Sequence, residues 1–174
     1  MPRSLGHLQS DLKYALTTAG DLIWPKRSIL SGEPSRGSLT PEDFKSLSFI
    51  TGSICRQCGV PQDLDLGETA ICAACHARKP AWSRARAALI YDDVSRKPVL
   101  ALKRGGQRAG LELMANWMSI AGADLIEDAD IILPVPLHYS RLISRGYNQS
   151  GWLAAAVSRR TGKPLRHAAL KRIK

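Results

Sequence analysis

The sequence predicts an α/β protein in two parts, a cysteine-bearing module followed by a helix-and-strand domain. Three observations carry this expectation. Cys55-x-x-Cys58 and Cys72-x-x-Cys75 form two pairs separated by thirteen residues. Beyond them, helix-periodic segments alternate with short apolar runs stopped by prolines, as helices and buried parallel strands do. The charge also changes along the chain: residues 1–75 carry 7 Lys/Arg against 8 Asp/Glu, whereas residues 76–174 carry 18 against 7.

Leu5, Leu8, Leu12, Ala15, Leu16, Ala19 and Ile23 recur at helical spacing, so residues 6–23 read as an amphipathic helix that Pro25 ends. Residues 25–50 are rich in Ser, Gly and Pro and read as irregular structure, followed by the cysteine module, with a boundary at Pro80. This divides the chain into residues 1–80 and residues 81–174. In the second part, residues 87–91 are a predicted strand, 97–103 a short helix and 111–121 a helix introduced by glycines. Ile131, Ile132, Leu133 and Val135 form a predicted buried strand, and Asn148 caps a helix over 149–160 that Gly162 and Pro164 close. Only two or three strands are visible, and the sheet looks unfinished at the final residues, LKRIK.

At 174 residues and 44% hydrophobic content, the chain suits a folded core. No stretch approaches the roughly 20 apolar residues that span a bilayer, and Asp11 and Lys13 interrupt the N-terminal apolar positions. A cytoplasmic protein is therefore expected, and in a reducing compartment four thiols point to metal or redox chemistry rather than structural disulfides. From Ile131 onward there are nine Lys/Arg and no acidic residue, a balance that suits phosphate-rich ligands or a nucleic-acid backbone; a solvated basic face is the alternative.

Each Cys-x-x-Cys pair can turn two thiolates inward from a tight turn, and four thiolates make the closed tetrahedral shell of a structural zinc site: Cys55, Cys58, Cys72 and Cys75. Gly59, Pro61 and Gly67 supply the turns of a ribbon. Two alternatives stand beside zinc. Cys72-Ala-Ala-Cys75-His76 has the form of a haem-attachment sequence, but Gly59 stands where the first pair would need its histidine. A dithiol redox pair is possible, yet neither pair sits between a strand and a helix as in thioredoxin-like folds. His76 reads as a surface or supporting residue, since four cysteines already fill the shell.

With the ribbon in place, ADIILPVPLHYSRLISRGYNQS closely resembles the signature of the ComF family, competence-associated phosphoribosyltransferase-like proteins. The shared elements are Pro134-Val135-Pro136-Leu137, Arg141 and Arg145-Gly146-Tyr147-Asn148-Gln149, with YDDVSRKPVLALKRGG at residues 91–106 resembling an earlier segment. The resemblance implies a double zinc ribbon ahead of a Rossmann-like type I phosphoribosyltransferase domain. The chain departs from it in two places. Ser28-x-x-Ser31 and Thr40-x-x-Asp43 stand where a first set of cysteines is expected, so the first ribbon is expected to be without metal and held by packing. The Thr/Gly-rich turn that cradles the ribose phosphate is not found after RGYNQ, and after Asp92-Asp93-Val94 the stretch Ser95-Arg96-Lys97-Pro98 stands in place of such a turn, so Asp92 and Asp93 are not expected to be the ribose-binding pair. The 174 residues thus resemble the first part of such a domain, with little transferase activity expected from them alone.

Ligands of α/β sheets gather beyond the carboxyl ends of strands, which places the loop after Leu137 near a substrate. Arg141 and Arg145, four apart, would share a helix face and offer two guanidinium forks to phosphate oxygens, with a solvent-facing basic helix as the alternative. Asn148 and Gln149 would orient the loop or a ligand, Asn148 reading equally as a helix cap. Lys103 and Arg104 precede a glycine turn and helix, a geometry suited to an anion. Gly105-xxxx-Gly110 is not a phosphate-binding Walker loop, because Leu111-Glu112 follows. Trp117 and Trp152 read as core. In a complete domain the resemblance implies displacement of pyrophosphate from phosphoribosyl pyrophosphate at the anomeric carbon, assisted by Mg²⁺. The alternative is a non-catalytic module binding single-stranded DNA or competence proteins, in keeping with the family's association with DNA uptake.

Overall fold

The computed structural model describes residues 26–64, 67, 69–105 and 107–173, with the side chains of Arg104 and Gly105 excepted. The helix expected over residues 6–23 lies outside them. The chain divides into two compact units, one ending at Ser46 and the other beginning at Leu47; Pro80 falls within the second.

The described part of the first unit holds a tight turn and a single helical turn, α1 (Pro41–Lys45). Thr40 caps α1, Pro41 sits at its first position, and Glu42 and Asp43 face its positive end. This Thr-Pro-Glu-Asp start signal lies in a segment that Ser and Gly content marks as irregular.

The second unit is built from α2 (Ala73–Ala77), α3 (Arg96–Gly105), α4 (Leu111–Ala121), α5 (Ala123–Asp128), α6 (Tyr139–Arg145) and α7 (Gln149–Thr161). Its centre is α4 packed on α7. From α4 come Leu111, Met114, Ala115 and Trp117; from α7 come Gly151, Ala154, Ala156 and Val157, a mostly small-residue face that lets the helices approach closely. Leu102 of α3, 2% exposed, joins this core, and Phe49 meets the Trp117 ring edge-on at 5.4 Å. α7 begins at Asn148, whose Oδ1 accepts from Ser150 N at 3.0 Å, and ends at left-handed Gly162 behind Arg159 and Arg160.

The sheet is smaller than expected. Among the described residues the strand pairings are isolated bridges: antiparallel Arg27 with Pro34, Phe49 with Leu89 and Ile54 with Pro61, and parallel Ile132 with Leu165. The parallel bridge uses Ile132 N to Pro164 O (2.8 Å) and Arg166 N to Ile132 O (3.1 Å). Pro134 and Pro136 have no N–H to continue that ladder, and Val135 between them is 70% exposed. The described residues are thus mixed and mainly helical, with the expected α/β pairing present only as these bridges. None of their helices is long and apolar enough to cross a membrane.

The start of α3 explains Asp92. Its Oδ1 accepts from Val94 N (2.9 Å) and Ser95 N (2.7 Å), while buried Ser95 donates to Ile90 O (2.7 Å) and accepts from Asp92 N (2.9 Å). The aspartate is committed to the turn that launches α3, and Asp93 pairs with Arg96 at 3.2 Å. The Ser95 N–H chiefly holds the Asp92 carboxyl below the usual carboxylate range; burial opposes this, and the Ser95 and Ser48 hydroxyls and Val94 N–H reinforce it. A carboxyl lowered in the folded state stabilises the fold above its unfolded pKa of about 4, and that stabilisation fades as pH falls through the lower folded value. Denaturant unfolding from pH 7 down to pH 2 should therefore show an acid loss of stability, and Asp92→Asn should flatten part of that slope; an unchanged slope would refute the assignment.

Candidate metal centre and basic loop

The four cysteines are brought together by two unlike pieces of backbone. Cys55 and Cys58 lie on a tight turn closed by Cys55 N to Val60 O (2.8 Å) and Gly59 N to Cys55 O (2.9 Å). Gly59 has φ 73°, and a Cβ there would lie 2.6 Å from the Ala85 carbonyl oxygen, so glycine alone fits. Cys72 is the residue before α2, and Cys75 sits buried on that helix. All four Sγ atoms lie within 4.8 Å of one another, and Cys58 Sγ is 3.7 Å from Cys72 Sγ. Metal–sulfur bonds of about 2.3 Å give a tetrahedron with edges of about 3.8 Å, so the donor set fits a tetrahedral ion such as zinc. All four thiols are free.

Their electrostatics favour an ion as well. Burial alone would raise the Cys55 pKa, but the backbone N–H groups of Cys58, Cys72 and Gln57 outweigh it and bring it to about 6. The Cys58 and Cys72 N–H groups lie 3.5 and 3.3 Å from Cys55 Sγ. Cys75 is pushed up to about 12, first by burial, then by the other three sulfurs and the Cys55 charge, and burial also raises Cys58. One thiolate forms readily and opposes the rest; a divalent cation removes that opposition and deprotonates them together. Four protein ligands leave no open position, which is the form of a structural site. His76 is exposed and outside the cluster.

Residues 84–86 connect this knuckle to the helices. Ala85 N donates to Gln57 O at 2.7 Å, and Arg86 Nη1 donates to Arg56 O at 2.9 Å. Arg86 Nη2 reaches Asp124 of α5 at 2.6 Å, while Arg84 pairs with Asp124 and Asp128. One guanidinium thus spans the knuckle backbone and α5.

The basic loop forms a second centre. Arg141 and Arg145 both lie on α6; Arg141 is exposed, and Arg145 Nη1 donates to Gln149 Oε1 at 3.3 Å. Gly146 ends α6 in the left-handed conformation, and Asn148 Nδ2 donates to Val135 O at 3.1 Å while its Oδ1 caps α7. Asn148 therefore caps the helix and ties it to the proline-rich segment. The Tyr147 hydroxyl is shared between Leu102 O (3.2 Å) and Lys103 O (3.3 Å), fastening the loop to the end of α3 that also carries Arg104. The Lys103 side chain is exposed.

A cleft of about 320 Å³ opens beside this loop, lined among others by Pro134, Pro136, Asn148, His167, Lys171 and Arg172. Asn148 lines it; Arg141, Arg145, Gln149 and Lys103 do not. Sequence reasoning missed Lys171, visible only as part of an acid-free tail. It also missed a stack: Tyr147 lies on Trp152 with centroids 4.2 Å apart and planes 7° apart, and Arg108 Cζ sits 3.9 Å from the Trp152 ring centre. Trp152 is accordingly half-buried between two partners, whereas Trp117 is core.

The geometry defines a protein with a four-cysteine knuckle able to hold a metal ion, followed by helices that carry a fastened basic loop. No family model and no solved structure matches the chain. It is similar to "Competence protein ComFC" of Bacillus subtilis (strain 168), 28% identical over 129 residues, which cover 68% of this chain and 51% of that protein. This similarity and the converging cysteines agree with the ComF resemblance carried by the sequence. The chain spans about half the length of the curated relative it matches.

Proposed function

We propose that the chain is a competence-related ComF protein in which one zinc ion closes the ribbon and the basic loop receives phosphoribosyl pyrophosphate. In this reading residues 1–80 are the ribbon module, residues 81–174 are the transferase-like part, and the protein works in the cytoplasm with its thiols reduced. The observation that carries it is the double role of Asn148, which fixes the start of α7 and the Pro134–Leu137 segment around one cleft. Lys171 on the cleft wall and Arg141 on adjoining α6 supply cations for phosphate oxygens, with Mg²⁺ arriving on the ligand. Arg145 and Gln149 are committed to each other and shape the loop, while the exposed Lys103, whose carbonyl accepts from Tyr147, lies at the end of α3 beside it. Binding, rather than turnover, is the activity proposed for these residues. Calorimetric titration with phosphoribosyl pyrophosphate and Mg²⁺ should give saturable binding that Arg141→Ala and Lys171→Ala each weaken about tenfold, the equivalent of about 1.4 kcal/mol. Absence of binding, or binding indifferent to both substitutions, would overturn the reading.

A second reading, a nucleic-acid module, is favoured by a different cleft. About 450 Å³ in volume, it is lined by Arg56, Lys79, Pro80, Ala81, Trp82 and Arg84 beside the knuckle, and Trp82 is 56% exposed. Gln57 Nε2 donates to Trp82 O at 3.4 Å, anchoring that rim to the metal centre. An indole flanked by cations suits a base of single-stranded DNA with its phosphates, and stacking contributes about 1–3 kcal/mol per base. Oligonucleotide binding should weaken steeply with salt and fall about tenfold in Trp82→Ala at unchanged metal content. Binding that ignores both salt and Trp82 would exclude this cleft.

A further inference from the structure

The first unit repeats the backbone of the four-thiol knuckle hydrogen bond by hydrogen bond. Ser28 N donates to Glu33 O (2.8 Å) as Cys55 N does to Val60 O (2.8 Å), and Gly32 N donates to Ser28 O (3.0 Å) as Gly59 N does to Cys55 O (2.9 Å). The bridge between Arg27 and Pro34 repeats that between Ile54 and Pro61. Ser35 N to Lys26 O (2.8 Å) matches Gln62 N to Ser53 O (2.9 Å), and Ile29 N to Ser38 O (2.9 Å) matches Arg56 N to Ala70 O (2.9 Å). Gly32 and Gly59 both take positive φ, 76° and 73°. In the second half, Thr40 precedes the five residues of α1 as Cys72 precedes the five of α2, which puts Asp43 where the other knuckle has Cys75. Ser28, Ser31, Thr40 and Asp43 therefore occupy the four ligand positions.

We propose that this first knuckle is closed without metal, the Asp43 carboxylate standing where the other knuckle would hold its ion. Asp43 Oδ2 accepts from the Ser31 hydroxyl at 2.7 Å and from the Ser28 hydroxyl, and Asp43 N donates to Thr40 Oγ1 at 3.1 Å. The polarity of the site is inverted. A zinc centre gathers anionic acceptors around a cation; here hydroxyl donors gather around an anion. Burial alone would raise the Asp43 pKa, but the Ser28, Ser31 and Thr40 side chains and the Ser31 N–H outweigh it and keep the carboxyl ionised. Ser28 (4% exposed) and Thr40 (8%) are buried polar groups whose hydrogen bonds this arrangement satisfies.

The donor set argues against an ion in the same place. Serine and threonine hydroxyls are not ionised near neutral pH and lack the softness zinc selects, and one carboxylate with two or three hydroxyls falls short of the six to eight oxygens of a calcium shell. The protein accordingly has one knuckle that chelators and thiol oxidants can open and one that is indifferent to both.

The test compares metal content by native mass spectrometry with amide hydrogen exchange on the whole chain. The wild type should carry one metal ion; a chelator should remove it and speed exchange at Arg56 and Gly59 while leaving Gly32 and Ser35 unchanged. Asp43→Ala should speed exchange at Gly32 and Ser35 at least about tenfold with the metal retained, since it leaves the buried Ser28 hydroxyl and the exposed Ser31 hydroxyl without their shared acceptor. Restoring thiols at all four positions, S28C/S31C/T40C/D43C, should create a second metal site. A second ion in the wild type, unchanged exchange in Asp43→Ala, or a single ion in the fourfold variant would each overturn the proposal.

Discussion

The start of the second unit is organised by the closing of four sulfurs around one point. Thiols held this close cannot ionise independently: one is drawn down to about 6 and another driven to about 12, so without a cation the cluster is electrostatically frustrated. Closure in turn fixes the turn at Gly59, which has room only because residue 59 has no side chain facing Ala85. The segment following the knuckle then carries Arg86 and Arg84 to Asp124, so the four-cysteine knuckle is tied to α5 through guanidinium pairs, of which Arg86 also holds the knuckle backbone. Hydrogen bonds to a charged group in such surroundings contribute about 1.5–3 kcal/mol each, enough to make this link matter to a domain of ordinary stability.

The basic loop is built on a different principle, in which polar side chains bond to main-chain carbonyls far away in sequence. Tyr147 reaches α3, and Asn148 reaches Val135. The Tyr147–Trp152–Arg108 stack then holds the loop from its other side. Such a loop can present cations to a ligand without having to order itself on binding, which removes part of the entropic cost of association. The two clefts are distinct in chemistry as well as position: one is framed by prolines and Asn148, the other by an exposed indole among cations.

Local signals were legible in the sequence and long-range ones were not. Cys-x-x-Cys spacing identified the four sulfurs that converge, the helix expected after the glycines at 111–121 has the limits of α4, and Asn148 and Gly162 bracketed α7 to within a residue. The short apolar run at 131–135 read as a buried strand because apolar content was weighed above its prolines, which interrupt the ladder. Trp152 read as core because helical spacing places it near that face, but spacing cannot report the Tyr147 and Arg108 rings and cations at its flank. The first knuckle read as irregular because its ligand positions hold Ser and Thr, residues that composition assigns to loops. It was expected to hold by packing, whereas its hydrogen bonds converge on Asp43.

The most direct test of this account is X-ray absorption at the metal edge on the purified chain under reducing conditions. The account predicts zinc with a shell of four sulfurs at about 2.3 Å and no nitrogen or oxygen neighbour. A shell containing nitrogen or oxygen, or metal-free protein with all four thiols reduced and the knuckle still folded, would contradict it.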